Sequence, residues 1–392
     1  MPPEFTRLPV EILDAIASEV PLANLLALCR TNRGLYRVCL RWIYHNVSPS
    51  TPTYGVGLFK TLIANKQAAN SVRVLTIHFP TREILFKSFA RLMQKAASNL
   101  ISLESLYYCA SPDLFSVFAH FHFPRLRDCF IPISTEMATF LSRNPRVAEL
   151  FVLLDPQRPL TAVNPDLASL SLPALRDFSG PGNVARAIVP NSEVAVVTIS
   201  WDLRIEDEYT EVLAAISTTQ EPLQKLHNLL QVWDTDLLFA IKDYLPHLTH
   251  LDFRNLSSLP PGTGELEAFY DTLETAVASL PNLLVLACIS HYEHVPPAPA
   301  DLAREFRAVR AWGARSPALR ACLLTSNTMW LRDTGNMWHP RASSPDKAEM
   351  QWRLGWFIGL IAGAPTQFPD YADDMVEVLG PEAWATLVDE NS

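Results

Sequence analysis

The side chains able to do chemistry in this chain are few and scattered. His291 and His294 bracket Tyr292-Glu293 and would stand one turn apart on a helix, a spacing that can hold a metal ion. The glutamate between them is not in the zinc-protease arrangement, however, and the segment runs into Val295-Pro296-Pro297, which is loop chemistry. The carboxylates Asp202, Glu206, Asp207, Glu208 and Glu211 could serve calcium, but their spacing does not match the loop with glycine at its sixth position, so a solvated helix face is expected. His120 and His122 fall in the aromatic run Phe118 to Phe123 and read as partly buried histidines. Gly180-Pro181-Gly182 lacks the helix start and lysine of a phosphate loop and reads as a turn. No Gly-x-Ser-x-Gly elbow occurs. The cysteines at 29, 39, 109, 129, 288 and 322 show no Cys-x-x-Cys pairing, and small apolar core residues are expected there. No catalytic residue, metal or cofactor is therefore expected, and the chain reads as a non-enzyme.

The elements around these residues are those of a globular chain. Of 392 residues 48% are hydrophobic and 19% charged, which suits one small and one large domain rather than disorder. A formal net charge of −9, with no run of Lys or Arg, argues against nucleic acid as a partner. The start, MPPEFT, has no basic and apolar leader pattern, and the longest apolar run, Leu354 to Ala364, is too short for the roughly 20 residues of a membrane span. A reducing compartment, cytoplasmic or nuclear, and no membrane partner are expected. Glycine is scarce at 13 residues and proline abundant at 31, so phosphate-cradling loops are poorly supplied.

The densest pattern is Leu8 to Val47. Three short apolar periodicities recur there at helical spacing: Ile12, Leu13, Ile16 and Val20; Leu22, Leu25, Leu26 and Cys29; Leu35, Val38, Cys39, Trp42 and Ile43. Pro9 and Pro21 stand where the first two helices should begin, because a missing N–H is no loss there. A bundle of roughly 40 residues buries too little apolar surface to be stable alone and wants a partner.

The run Leu8-Pro9, Glu11, Ile12-Leu13, Ile16, then Leu22, Leu25-Leu26, Cys29-Arg30 and Arg33 resembles an F-box in order and spacing. The resemblance implies docking on the adaptor subunit of a cullin-RING ubiquitin ligase, with Leu8, Pro9, Ile12, Leu13, Ile16, Leu25 and Leu26 supplying apolar contacts. The run Leu-Leu-Ala-Leu-Cys-Arg-Thr-Asn-Arg, with weakly conserved repeats behind it, looks like the large fungal branch of that family. Its members are substrate receptors: the adaptor and the cullin scaffold are the implied partners, together with a target protein, and the chain itself catalyses nothing. The alternative is a non-ligase scaffold that uses F-box and repeats only for binding.

Behind the F-box-like stretch, Ser48-Pro49-Ser50-Thr51-Pro52-Thr53 has linker chemistry. From about residue 72 a loose repeat follows, apolar-x-x-apolar-x-apolar, often opened by proline, as in Leu-Pro-His-Leu-Thr-His-Leu-Asp-Phe from 245 and Leu-Pro-Asn-Leu-Leu-Val-Leu-Ala-Cys from 280. Its first apolar anchors fall at 72, 103, 126, 147, 175, 194, 223, 248, 283 and 319, a period near that of leucine-rich repeats, roughly 20–29 residues, with longer insertions. Helical patterns lie between them, such as Ile84, Leu85, Phe89, Leu92 and Met93, and Leu266, Phe269, Tyr270, Leu273 and Val277. The expected fold class is α/β: a three-helix F-box at 5–47, a linker and first helix at 48–70, a leucine-rich-repeat-like solenoid forming a horseshoe arc at 71–335, and a helical, acidic C-terminal cap at 336–392. The cap carries Trp352, Trp356 and Leu360 as an apolar stripe over Asp346 to Ala362.

In such repeats alternate strand residues face the concave side. Counting two, four and six beyond the anchors gives Ser105, Tyr107 and Cys109; Asp128, Phe130 and Pro132; Glu149, Phe151 and Leu153; Val196, Thr198 and Ser200; His250, Asp252 and Arg254. Tyr107, Phe130 and Phe151 would make an aromatic patch of the composition favoured at interface centres. With His250, Asp252 and Arg254 they are the expected target-binding residues.

Overall fold

Each proline-opened copy of the repeat folds as a turn that launches a strand. In the computed structural model of the chain, the N–H of Leu126, Val147, Leu175, Leu248, Leu283 and Leu319 donates to the carbonyl three residues earlier at 3.0 to 3.4 Å. The second turn position is proline every time. Proline's fixed φ fits that corner, and its missing N–H is not called upon. All ten anchors, from Val72 to Leu319, are buried, and at each of the ten a strand begins two residues later.

The structure describes residues 8–79, 87–154, 165–201, 209–257, 263–290, 298–333, 335–342, 347–364, 366, 368, 371–373, 376 and 381–391. The chain divides into two compact units, Met1–Val194 with Thr218–Glu221, and Ala195–Ser217 with Pro222–Ser392.

The first unit opens with α1 (Val10–Glu19), α2 (Leu22–Leu28) and α3 (Arg33–Ile43), with Pro9 and Pro21 as the caps of the first two. Leu13, Ala17, Leu25, Leu35, Val38 and Cys39 form their shared core. Asp14 Oδ1 ties α1 to α3 by accepting from Arg41 Nη1 at 3.0 Å and Trp42 Nε1 at 3.1 Å. Then come β1 (Asn46–Val47), α4 (Pro52–Ala64), α5 (Lys66–Ser71), β2 (Val74–His78), α6 (Lys87–Ala97), β3 (Ser105–Cys109), α7 (Pro112–Phe115), β4 (Asp128–Pro132), α8 (Met137–Arg143), β5 (Glu149–Leu153), β6 (Asp177–Pro181) and α9 (Gly182–Ile188).

The strands β1 to β6 pair in parallel in chain order, with Val74, Ser105, Asp128, Glu149 and Asp177 in one register row. The next row, Leu75, Leu106, Cys129, Leu150 and Phe178, is buried and forms the core side of the sheet. Residues 48–51 are outside any helix, and the helix that follows them starts at Pro52. Thr51 Oγ1 accepts from the Tyr54 N–H at 3.3 Å and Pro52 takes the first turn of α4. Since β1 pairs with β2, packing does not break after Val47.

The second unit contains β7 (Val196–Ser200), α10 (Tyr209–Ile216), β8 (Lys225–Leu230), α11 (Thr235–Tyr244), β9 (His250–Asn255), α12 (Thr263–Val277), β10 (Val285–Ser290), α13 (Pro299–Arg315), β11 (Ala321–Leu323), β12 (Thr328–Arg332), β13 (Trp338–Ala342), α14 (Lys347–Gly363) and α15 (Pro381–Asn391). Strands β7 to β11 are parallel with Val196, Lys225, His250, Val285 and Ala321 in register, after which β12 and β13 pair antiparallel. The tight returns use Asn327 and Asn336 at φ 57° and 68°, a region that asparagine tolerates better than most residues. Parallel strands with helical crossovers in each unit are the mixed α/β architecture of a repeat solenoid.

The repeat pattern thus gives way before residue 335, because a parallel neighbour needs a crossover and a hairpin does not. Helix α14 buries Arg353, Phe357 and Ile361. Its inward face is one residue round from the expected stripe: Trp356 and Leu360 are half-buried, and the side chain of Trp352 lies outside the described residues. Ile84, Leu85 and Asp346 also lie outside them. Gly313 of α13 lets Trp338 approach the helix, since a Cβ there would fall 2.6 Å from the indole Nε1.

Candidate functional site

Three surfaces gather the residues singled out above. On the N-terminal bundle, α1 repeats at intervals of four, which places Ile12 and Ile16 on one face, and α2 does the same with Leu22 and Leu26. All four side chains are exposed, as are Leu8 and Val10. Pro9 is exposed too. Leu13 and Leu25 behave differently: they point into the bundle core and hold the three helices together. Two of the seven residues expected at an adaptor contact are therefore internal supports, while Val10 and Leu22 join the exposed set.

The second surface lies on the face of β3 to β6 opposite the core rows. Tyr107, Phe130, Phe151 and Ser179 form one register row there. Phe130 and Phe151 stack with centroids 4.3 Å apart and planes at 17°, and Tyr107 lies 6.4 Å from Phe130. Tyr107 and Phe151 are each 39% exposed. Two residues back along each strand stand Ser105, Asp128, Glu149 and Asp177, and Ser105 Oγ donates to Asp128 Oδ2 at 2.6 Å. The two rows line a shallow pocket of about 220 Å³. Partial burial, then the neighbouring charges of Asp128 and Asp177, push the Glu149 carboxyl above its ordinary range. Burial and the Asp128 and Glu149 charges likewise raise the Tyr107 phenol. The expected aromatic patch exists, and its carboxylate border comes from adjacent strands in register.

The third surface is on β8 and β9. Asp252 is buried, and its Oδ2 accepts from Arg254 Nε at 2.8 Å and meets His227 Nδ1 at 3.0 Å. Among the described residues Asp252 Oδ1 has no hydrogen-bond partner. Burial, then Lys225 and His227, hold the His250 imidazole below its ordinary pKa. Asp252 and Arg254 are thus brought together, with His250 two residues before Asp252 on the same strand. His227 escaped the sequence reading because it enters only through the register of β8 with β9, where it stands opposite Asp252.

The remaining motifs fall away individually. His120 and His122 are exposed, against the expected partial burial, and His122 Nδ1 lies 2.6 Å from the Arg143 carbonyl. Gly180-Pro181-Gly182 is a strand end running straight into α9, not a free turn, since Pro181 is both the last residue of β6 and the cap of that helix. His291 and His294 lie outside the described residues, as do Asp202, Glu206, Asp207 and Glu208. All six cysteines are free thiols, and burial raises the pKa of each. Among the described residues no three His, Cys, Asp or Glu side chains group to hold a metal, and no helix is long and apolar enough to cross a membrane.

Fold and surfaces together define an α/β repeat protein with a helical bundle at its N-terminal end and polar–aromatic faces on its sheets. No family model matches the chain, and no curated protein matches it. Among solved structures it is similar to a chain of the crystal structure of the Rad7 and Elc1 complex in yeast, at 13% identity and a TM-score of 0.34, over 80% of this chain and 88% of that one. A likeness that loose carries no statement about partner or activity.

Proposed function

We propose that the chain is a non-catalytic substrate-receptor subunit of a Skp-cullin-F-box type ubiquitin ligase. Residues 5–47 dock on the adaptor, of which 5–7 lie outside the described residues, and the repeats recruit a target protein. Rate enhancement in such an assembly comes from holding the target near a ubiquitin-charged enzyme, which is catalysis by proximity. The observation that carries the reading is the pair of exposed apolar rows, Ile12 with Ile16 and Leu22 with Leu26, on a bundle whose sequence resembles an F-box. Covering the area these side chains still expose would contribute on the order of 1 kcal/mol each.

Co-purification with adaptor and cullin tests it, comparing wild type with Ile12→Ala plus Leu26→Ala. Both side chains are exposed, so the double variant is expected to melt like wild type while adaptor capture falls roughly tenfold, the equivalent of about 1.4 kcal/mol. Wild-type protein that captures no adaptor would refute the proposal. Capture of adaptor without cullin would leave the non-ligase interaction scaffold instead.

A further inference from the structure

The aromatic and carboxylate rows on β3 to β6 carry a statement about the target's chemistry, one that rests on the receptor reading above. Like charges set directly opposite on neighbouring strands oppose folding. Asp128, Glu149 and Asp177 nevertheless stand side by side in register, and among the described residues neither Asp128 nor Glu149 is paired with a lysine or arginine. Immediately beside them, the rings of Tyr107, Phe130 and Phe151 line the same pocket, Phe130 and Phe151 stacked on one another and Tyr107 tilted against Phe130. An apolar ligand would suit the rings but leave Asp128 and Glu149 partly desolvated with no cation beside them. A planar cation suits both, since a guanidinium stacks on an aromatic face and pairs a carboxylate through two parallel N–H bonds.

We infer that this face binds an extended, arginine-bearing basic segment of the target protein, its guanidinium groups packing against the row of Tyr107, Phe130 and Phe151 and pairing with Asp128 and Glu149. Strand residues alternate in direction, so arginines at every second position of an extended segment would all face the sheet. Charge complementarity selects this occupant over an acidic or neutral segment.

Binding of short fluorescent peptides to the full chain tests the inference. An eight-residue peptide with arginine at alternate positions is compared with length-matched glutamate and glutamine versions. The arginine peptide is expected to bind best, to weaken as salt rises, and to lose roughly tenfold in affinity in the Asp128→Asn plus Glu149→Gln variant. Tyr107→Ala plus Phe151→Ala should weaken it comparably, with thermal melting showing that both variants are folded. Equal binding of the three peptides, or affinity unchanged in the carboxylate variant, would overturn the inference. Adaptor capture is read in the same preparations: its loss with arginine selectivity intact refutes the receptor reading alone, and the converse refutes this one alone.

Discussion

Glu305 is a fully buried carboxylate, and it lies far along the chain from both proposed docking surfaces. It is buried in α13, where its Oε1 accepts from the Ser326 N–H at 2.8 Å and its Oε2 accepts from Ser326 Oγ at 2.6 Å and Trp330 Nε1 at 3.2 Å. Arg353 of α14 donates to Thr328 Oγ1 and to the Ser326 carbonyl, so the same turn is held from two helices. Burial outweighs those hydrogen bonds and raises the Glu305 pKa above its ordinary value of 4.5. The folded chain therefore holds this proton more tightly than the unfolded one, and its contribution to stability falls as pH rises from the ordinary carboxylate range through the raised value. Glu305→Gln, which cannot ionise, removes that slope. The difference in melting temperature, variant minus wild type, is expected to grow more positive as pH rises above the ordinary carboxylate range; a difference that is flat or declines would contradict the assignment.

At the scale of elements, the repeat is held by its anchors. Leu283 is fully buried at the head of β10, while Leu284 beside it is 41% exposed. Leu283→Ala should cost about 2–5 kcal/mol, the range for buried leucines that leave a cavity. Leu284→Ala should stay within about 0.5 kcal/mol. Denaturant unfolding of the two variants checks the contrast, and equal costs would mean that the anchor does not carry the strand. The N–H groups of the next two residues, Leu284 and Val285, both donate to the Thr249 carbonyl, and the same forked bond recurs at Glu104 with Ser105, Arg127 with Asp128 and Arg320 with Ala321. A degenerate sequence can keep such a repeat because the turn and the forked bond are made by backbone, leaving only the anchor and the two core rows to be apolar.

For the molecule as a whole, the N-terminal bundle is part of the first unit's packing as well as a proposed docking module. The N–H groups of Arg73 and Val74 donate to the His45 carbonyl at 2.9 and 3.0 Å, and β1 covers the edge of β2. A chain beginning at residue 48 uncovers that edge, and unprotected strand edges pair with other chains. Its expected behaviour is a lower melting temperature, at roughly 2–4 °C per kcal/mol lost, with concentration-dependent association in sedimentation. A monomeric truncation that melts like the full chain would show the bundle to be a separable addition.

What the sequence determined by itself was local. The proline turns, the ten anchors and the strands two residues beyond them were readable because proline's φ and the burial of one apolar side chain act within a few residues. Tyr107, Phe130 and Phe151 were also readable as one face, since strand alternation is a property of a single strand. Tertiary structure alone decided which side of α1 and α2 became core: Leu13 and Ile12 are equally apolar neighbours, and only packing against α3 turned Leu13 inward. It also decided the company each residue keeps, putting Asp128 beside Glu149 and His227 beside Asp252. Those pairs are separated by 20 residues or more, and the register that joins them is set by how neighbouring repeats stack, which no local pattern records.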